Sequence, residues 1–139
     1  MKILFMCVAN SARSQLAEGL AKSIFGNKAW VESAGSEPKK VNPFAIQVLK
    51  EIGIDISSHH SKSFDDLKPD FTADLNFIIT LCAEEVCPAM ASKTAQRLHW
   101  PFKDPAGQDG TDEEQLERFR HTRELIKKQI TAFASEMTK

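Results

Sequence analysis

The stretch Lys2-Ile3-Leu4-Phe5-Met6-Cys7-Val8-Ala9-Asn10-Ser11-Ala12-Arg13-Ser14-Gln15-Leu16-Ala17-Glu18 passes from an apolar block through a short polar loop into a helix-forming run. Such an order reads as a buried strand that turns into a crossover helix. At a turn of this kind the free N–H groups of the helix N-terminus converge on one spot and carry roughly half a positive charge. An oxyanion fits there, and the same field favours the thiolate form of a cysteine. Cys7 ends the strand, so Val8, Ala9, Asn10, Ser11, Ala12, Arg13 and Ser14 form a candidate oxyanion-binding loop with Cys7 as its nucleophile. The planar fork of Arg13 can hold two oxygens of a tetrahedral anion, which the point charge of a lysine cannot do. Asn10, Ser11 and Ser14 supply hydroxyl and amide groups to brace the turn or to bond the thiolate. The plainer alternative, a structural cysteine at a strand end, accounts for neither the arginine nor the helix.

Outside this stretch the chain sets limits. Its 139 residues suit one domain, 1–139, with a real core. With 18 basic and 19 acidic side chains it has a net charge of −1, so bulk electrostatics favour neither nucleic acid nor a membrane surface, and any anion affinity must be local. No apolar run approaches the roughly 20 residues that span a bilayer, and Ile3 to Val8 is too short for a secretory core, so a cytoplasmic location is expected. Three cysteines, Cys7, Cys82 and Cys87, fit nucleophilic or redox chemistry better than a structural disulfide framework.

Periodicity fills in the rest. Lys2 to Cys7 is a buried first strand, and Ser14 to Phe25 a helix with Leu16, Leu20 and Ile24 on one face, stopped at Gly26. Trp30 to Ser33 is a short second strand. Asn42-Pro43 caps and opens a helix through Ala45, Val48, Leu49 and Ile52 that ends at Gly53. Ile54 to Phe71 is polar and irregular, with at most a helical turn after Ser63. Phe77-Ile78-Ile79 marks a third strand within Leu75 to Leu81, Arg97 to Trp100 a brief fourth, and Asp112 to about Met137 a long last helix. The fold class is α/β: a single-domain parallel sheet of about four strands with helices on both faces. Ligands bind such sheets beyond the carboxyl ends of the strands, where Cys7, Cys82 and Asp104 should gather.

Cys82 and Cys87 enclose a segment that could form a helical turn while both are reduced. Residues five apart in a helix lie about 140° round the axis and roughly 7.5 Å along it, beyond the about 7 Å that a disulfide tolerates, so oxidation would have to unwind that turn. A zinc half-site completed by His99, or by His59 and His60, is a competing reading that lacks the usual ligand spacing, and plain burial is another. Asp104 heads the turn signal Asp104-Pro105-Ala106-Gly107; it could serve the turn alone, or overhang the Cys7 loop and give a proton to an oxygen leaving the anion.

Taken together, Cys7 to Glu18, Ser33-Ala34-Gly35, Val41-Asn42-Pro43, Thr80-Leu81-Cys82, Cys87-Pro88 and His99-Trp100 through Asp104-Pro105-Ala106-Gly107 resemble the arsenate reductases built on the low-molecular-weight protein tyrosine phosphatase fold. The resemblance covers nearly the whole chain. It implies reduction of arsenate to arsenite by a relay in which Cys7 attacks arsenic, Arg13 and the loop hold the oxygens, and Asp104 protonates the leaving hydroxide. Cys82 then attacks Cys7, arsenite leaves, and Cys87 attacks Cys82 to free Cys7. The implied reductant of the Cys82–Cys87 pair is thioredoxin, with glutaredoxin and glutathione as the alternative; phosphate and sulfate would compete with arsenate. Some members also bind potassium beside the loop, at positions that match Asn10, Glu18, Ser33 and Asp65 here; no other cofactor is implied.

The chain departs from that pattern in having Ala9 where a glycine is common, so the loop must do without positive φ at that position, and Ala12 where a further cysteine is common. The rival function is a low-molecular-weight tyrosine phosphatase acting through a Cys7 phosphoenzyme. It would need only Cys7, Arg13 and Asp104, would leave Cys82 and Cys87 without a task, and would want aromatic residues after Asp104-Pro105, where this tyrosine-free chain has Ala106-Gly107. Weak phosphatase side activity is expected from the shared loop.

Overall fold

In a computed structural model, residues 1–83 and 92–137 are described. The strands are β1 (Lys2–Cys7), β2 (Trp30–Gly35), β3 (Phe77–Thr80) and β4 (Gln96–His99); the helices are α1 (Arg13–Phe25), α2 (Pro43–Lys50), α3 (Pro69–Thr72) and α4 (Asp112–Met137). The sheet is parallel with strand order β2-β1-β3-β4, so β1 is flanked on both sides. That position explains its unbroken apolar run: Ile3, Leu4, Phe5 and Met6 are all buried, alternating between the two faces.

The two faces are covered unequally. Ile3, Phe5 and Ile79 pack under α1, α2 and α4, in a cluster that includes Leu16, Leu20, Leu49, Phe119, Ile126 and Phe133. Burying each such side chain contributes roughly 1.5–3 kcal/mol. Among the described residues the opposite face, Leu4, Met6 and Ile78, is covered by Leu67, Phe71 and Leu75. Leu75 precedes β3, and Leu67 and Phe71 come from the segment expected to be irregular. It carries the expected turn, Phe64–Asp66, closed by a capping box in which Ser63 N–H donates to Asp66 Oδ2 at 2.9 Å. It also carries α3, which the sequence reading did not anticipate. One turn of helix is too short to show a period, and it is fixed here by Pro69 at its start and Phe71 in the core.

Elsewhere the differences are at boundaries. Helix α1 opens at Arg13, one residue early, and β2 runs on through Ala34 to Gly35 because it stays paired with β1 up to Cys7. Asn42 caps α2 as read, its Oδ1 accepting from Phe44 N–H at 2.9 Å. The proposed helical turn between Cys82 and Cys87, Cys87 itself and Pro88 lie outside the described residues.

Pairing beyond the strand ends positions the site. Leu81 N–H donates to Met6 O at 3.0 Å, Trp100 N–H to Thr80 O at 2.8 Å and Phe102 N–H to Leu81 O at 3.1 Å. Cys7, Cys82 and the chain leading to Asp104 therefore emerge side by side from the carboxyl edge of the sheet.

Candidate active site

The loop between Cys7 and Arg13 is held from outside by its carbonyls. Val8 O accepts from Glu37 N–H at 2.9 Å, Ala9 O from Lys39 N–H at 2.8 Å, Ser11 O from Asn42 N–H at 3.0 Å and Asn10 O from the Ser61 hydroxyl at 2.7 Å. The amides of these residues take no part in those bonds. Cys7, Val8, Ala9, Ser11, Ala12 and Arg13 line a cavity of about 290 Å³ together with Lys39, Asp104, Ala106 and Gly107. An anion there would meet the α1 N-terminus and two flanking cations.

The backbone strain that a glycine would relieve falls on Asn10 instead of Ala9. Asn10 has φ 48°, a left-handed conformation that asparagine tolerates better than most residues. Its side chain is fully buried and fully used. Nδ2 donates to Ser14 Oγ at 2.8 Å and to Ser33 Oγ at 2.9 Å, while Oδ1 accepts from Lys62 N–H at 2.8 Å and Gln15 Nε2 at 3.2 Å. Because Asn10 donates to Ser14, the Ser14 hydroxyl is free to donate to Cys7 Sγ, 2.9 Å away. A hydroxyl aimed at sulfur stabilises a thiolate.

Arg13 is buried in the wall of the cavity, its Nη1 donating to Phe102 O at 2.9 Å and Leu81 O at 3.4 Å. Its Nη2 lies 3.7 Å from Asp104 Oδ2. Asp104 serves the turn, its Oδ1 accepting from Ala106 N–H at 3.0 Å, and its Oδ2 faces the arginine over the same cavity as Cys7. Cys7 is free and buried; Cys82 is buried and held in a disulfide.

Of the four residues matched to a potassium site, three converge and one does not. Ser33 Oγ donates to Glu18 Oε1 at 2.5 Å and receives Asn10 Nδ2. Asp65 is exposed on the Phe64–Asp66 turn; the place expected for it is taken by Lys62, whose Nζ lies 3.4 Å from Glu18 Oε1. Lys22 Nζ is 2.7 Å, and His59 Nδ1 3.4 Å, from Glu18 Oε2. Burial pushes the Glu18 carboxyl up, and Lys62, with the bonds from Lys22 and Ser33, more than offsets it, so the net direction is below the ordinary 4.5. Asn10 turns its amide hydrogens toward Ser33, and an ammonium already sits on the carboxylate, so these residues do not fit a potassium ion. Among the described residues no group of three or more His, Cys, Asp or Glu side chains is placed to hold a metal.

The sequence reading missed Lys39, Gln15 and Lys62, and weighed His59 as a zinc ligand, whereas it lies beside Glu18 and Gln15. Lys39 alone had a visible signal, as part of a basic pair just after Pro38.

Comparison with known proteins gives a consistent picture. The family model for low molecular weight phosphotyrosine protein phosphatase matches residues 2–139. An arsenate reductase of Halalkalibacterium halodurans is 46% identical over 134 residues, covering 95% of this chain and 94% of that protein. One from Bacillus subtilis is 41% identical with the same coverage. Among solved structures, an arsenate reductase in the phosphate binding state superposes with a TM-score of 0.78 at 32% identity, covering 98% of each chain.

Proposed function

Because this chain belongs to the low molecular weight phosphotyrosine protein phosphatase family, in the branch of the arsenate reductases, we propose that it reduces arsenate to arsenite in the cytoplasm through Cys7, Cys82 and Cys87, with thioredoxin as the final reductant. The observation that carries this reading is the meeting of Cys7, Arg13 and Asp104 on one cavity, with Cys82 at the adjoining strand end.

The Cys7 thiolate attacks arsenic, and Arg13 with the loop amides holds the arsenate oxygens. Asp104 gives its proton to the departing hydroxide, which leaves as water. The Cys82 thiolate attacks Cys7 Sγ; the sulfur–arsenic bond breaks with its electron pair going to arsenic, so arsenite leaves and a Cys7–Cys82 disulfide remains. Cys87 attacks Cys82 Sγ and expels Cys7 as thiolate. An external dithiol reduces the Cys82–Cys87 bond. Phosphate and sulfate compete for the loop, and weak aryl phosphatase activity follows from the same three groups. No potassium or other cofactor is required.

The test is arsenite production from arsenate with thioredoxin, its reductase and NADPH, in wild type, Cys82→Ser and Cys87→Ser. Multiple turnover in wild type that both substitutions abolish is the expected result. No arsenite, with aryl phosphate hydrolysis equal in all three proteins, would identify a phosphatase working through a Cys7 phosphoenzyme.

A further inference from the structure

We propose that Lys62 is the built-in cation of the anion-binding loop: its ammonium takes the place of a bound metal ion beside Glu18 and positions the Cys7 nucleophile through a chain of oriented hydrogen bonds. The chain runs from the ammonium to Glu18 Oε1 at 3.4 Å, from the Ser33 hydroxyl to the same oxygen at 2.5 Å, from Asn10 Nδ2 to Ser33 at 2.9 Å and to Ser14 at 2.8 Å, and ends with Ser14 and Cys7 Sγ 2.9 Å apart. Each donor direction follows from the one before it. A charged carboxylate accepts from Ser33, so Ser33 offers its lone pairs to Asn10. Asn10 then turns both amide hydrogens toward hydroxyls, which leaves the Ser14 hydrogen for sulfur.

Glu18 is almost fully buried, and a buried carboxylate needs a paired cation to remain ionised. Lys22 meets the other oxygen from a side chain that is 44% exposed, whereas the Lys62 side chain is 12% exposed and also lies 3.5 Å from Glu32 Oε1. Lys62 is held in place by its own backbone. Its N–H donates to Asn10 Oδ1 at 2.8 Å and its carbonyl accepts from Gly35 N–H at 2.9 Å. A side-chain substitution therefore removes the ammonium while keeping both backbone anchors of the loop. A second cation in this space would face Lys62, Lys22 and, when protonated, His59.

This inference concerns loop geometry, so it stands apart from the arsenate relay. The experiment uses inorganic phosphate as probe and the rate of iodoacetamide modification at Cys7, read on the Cys7 peptide by mass spectrometry, in wild type, Lys62→Met and Lys62→Arg. Lys62→Met is expected to weaken phosphate binding and slow Cys7 alkylation by about tenfold each, and Lys62→Arg to stay within about threefold of wild type on both. Wild type is expected to show the same melting temperature and phosphate affinity in potassium chloride and in choline chloride at equal ionic strength. Lys62→Met indistinguishable from wild type, Lys62→Arg as impaired as Lys62→Met, or a potassium-specific gain in wild type would each overturn the proposal. The wild-type salt comparison decides the matter even if Lys62→Met does not fold. Absence of arsenite formation would remove the proposed activity and leave these readouts untouched.

Discussion

Asn10 carries three duties that no other side chain of its size combines: a left-handed backbone, two donors aimed at different hydroxyls and an acceptor for two amides. Asn10→Ala leaves buried partners unsatisfied, each worth about 1–3 kcal/mol, and adds the strain of a positive φ. Asn10→Gly relieves only the strain. Urea unfolding should therefore show Asn10→Gly less damaged than Asn10→Ala in stability, while phosphate titration should show both binding at least tenfold more weakly. Equal phosphate affinity in Asn10→Gly and wild type would mean that backbone shape alone makes the loop competent. The loop residues were legible in the sequence because strand, cysteine, arginine and helix follow one another without a gap. Lys62 was not, since residues 54–68 have no period that says which side chain turns inward. The nearby acid Asp65 was the natural guess for a cation site, and it faces solvent.

At the scale of elements, the register of β2 against β1 brings Gly35 beside Cys7. A Cβ on Gly35 would lie 2.4 Å from Val8 O and 2.9 Å from Cys7 O, both backbone atoms with no room to yield. Gly35→Ala must therefore displace the Cys7–Val8 peptide, and the Glu37 N–H bond to Val8 O with it. The expected outcome is a loss of about 1–3 kcal/mol in urea unfolding together with weaker phosphate binding; unchanged binding would show that the loop tolerates a shift of its first peptide. The long elements and the Asn42-Pro43 helix start were readable from periodicity and capping. The short α3 was not, because its existence depends on Phe71 finding a pocket across the sheet from α1.

For the molecule as a whole, acid sensitivity is written into the buried cluster behind the loop. Burial, partly opposed by Glu18, holds His59 below its ordinary 6.5. The unfolded chain then binds a proton that the folded one refuses, and stability falls as pH drops through and below 6.5. Glu18, shifted below 4.5, gives stability that is present above that value and lost as pH falls through its lower folded pKa. Urea midpoints measured from about pH 7.5 to 5 should slope downward in wild type and less steeply in His59→Gln. Identical slopes would place the acid sensitivity elsewhere. On the far side of α1, Glu51 ties α2 to α4 through Arg120 and Arg123, with contacts of 2.8 Å, so the three helices of that face close as one layer.

The sheet order has a consequence for how the chain is made. The strand bearing the nucleophile leaves the ribosome before the other three strands of its sheet, yet it is an inner strand, and its second neighbour, β3, begins only at residue 77. The helix that seals the core over it, α4, follows later still, at residues 112–137. Throughout synthesis, then, the Cys7 thiol exists without the surroundings that bury it. A nascent chain emerging into oxidant meets that hazard at the very thiol the finished loop must later present, and the exposure lasts until α4 is complete.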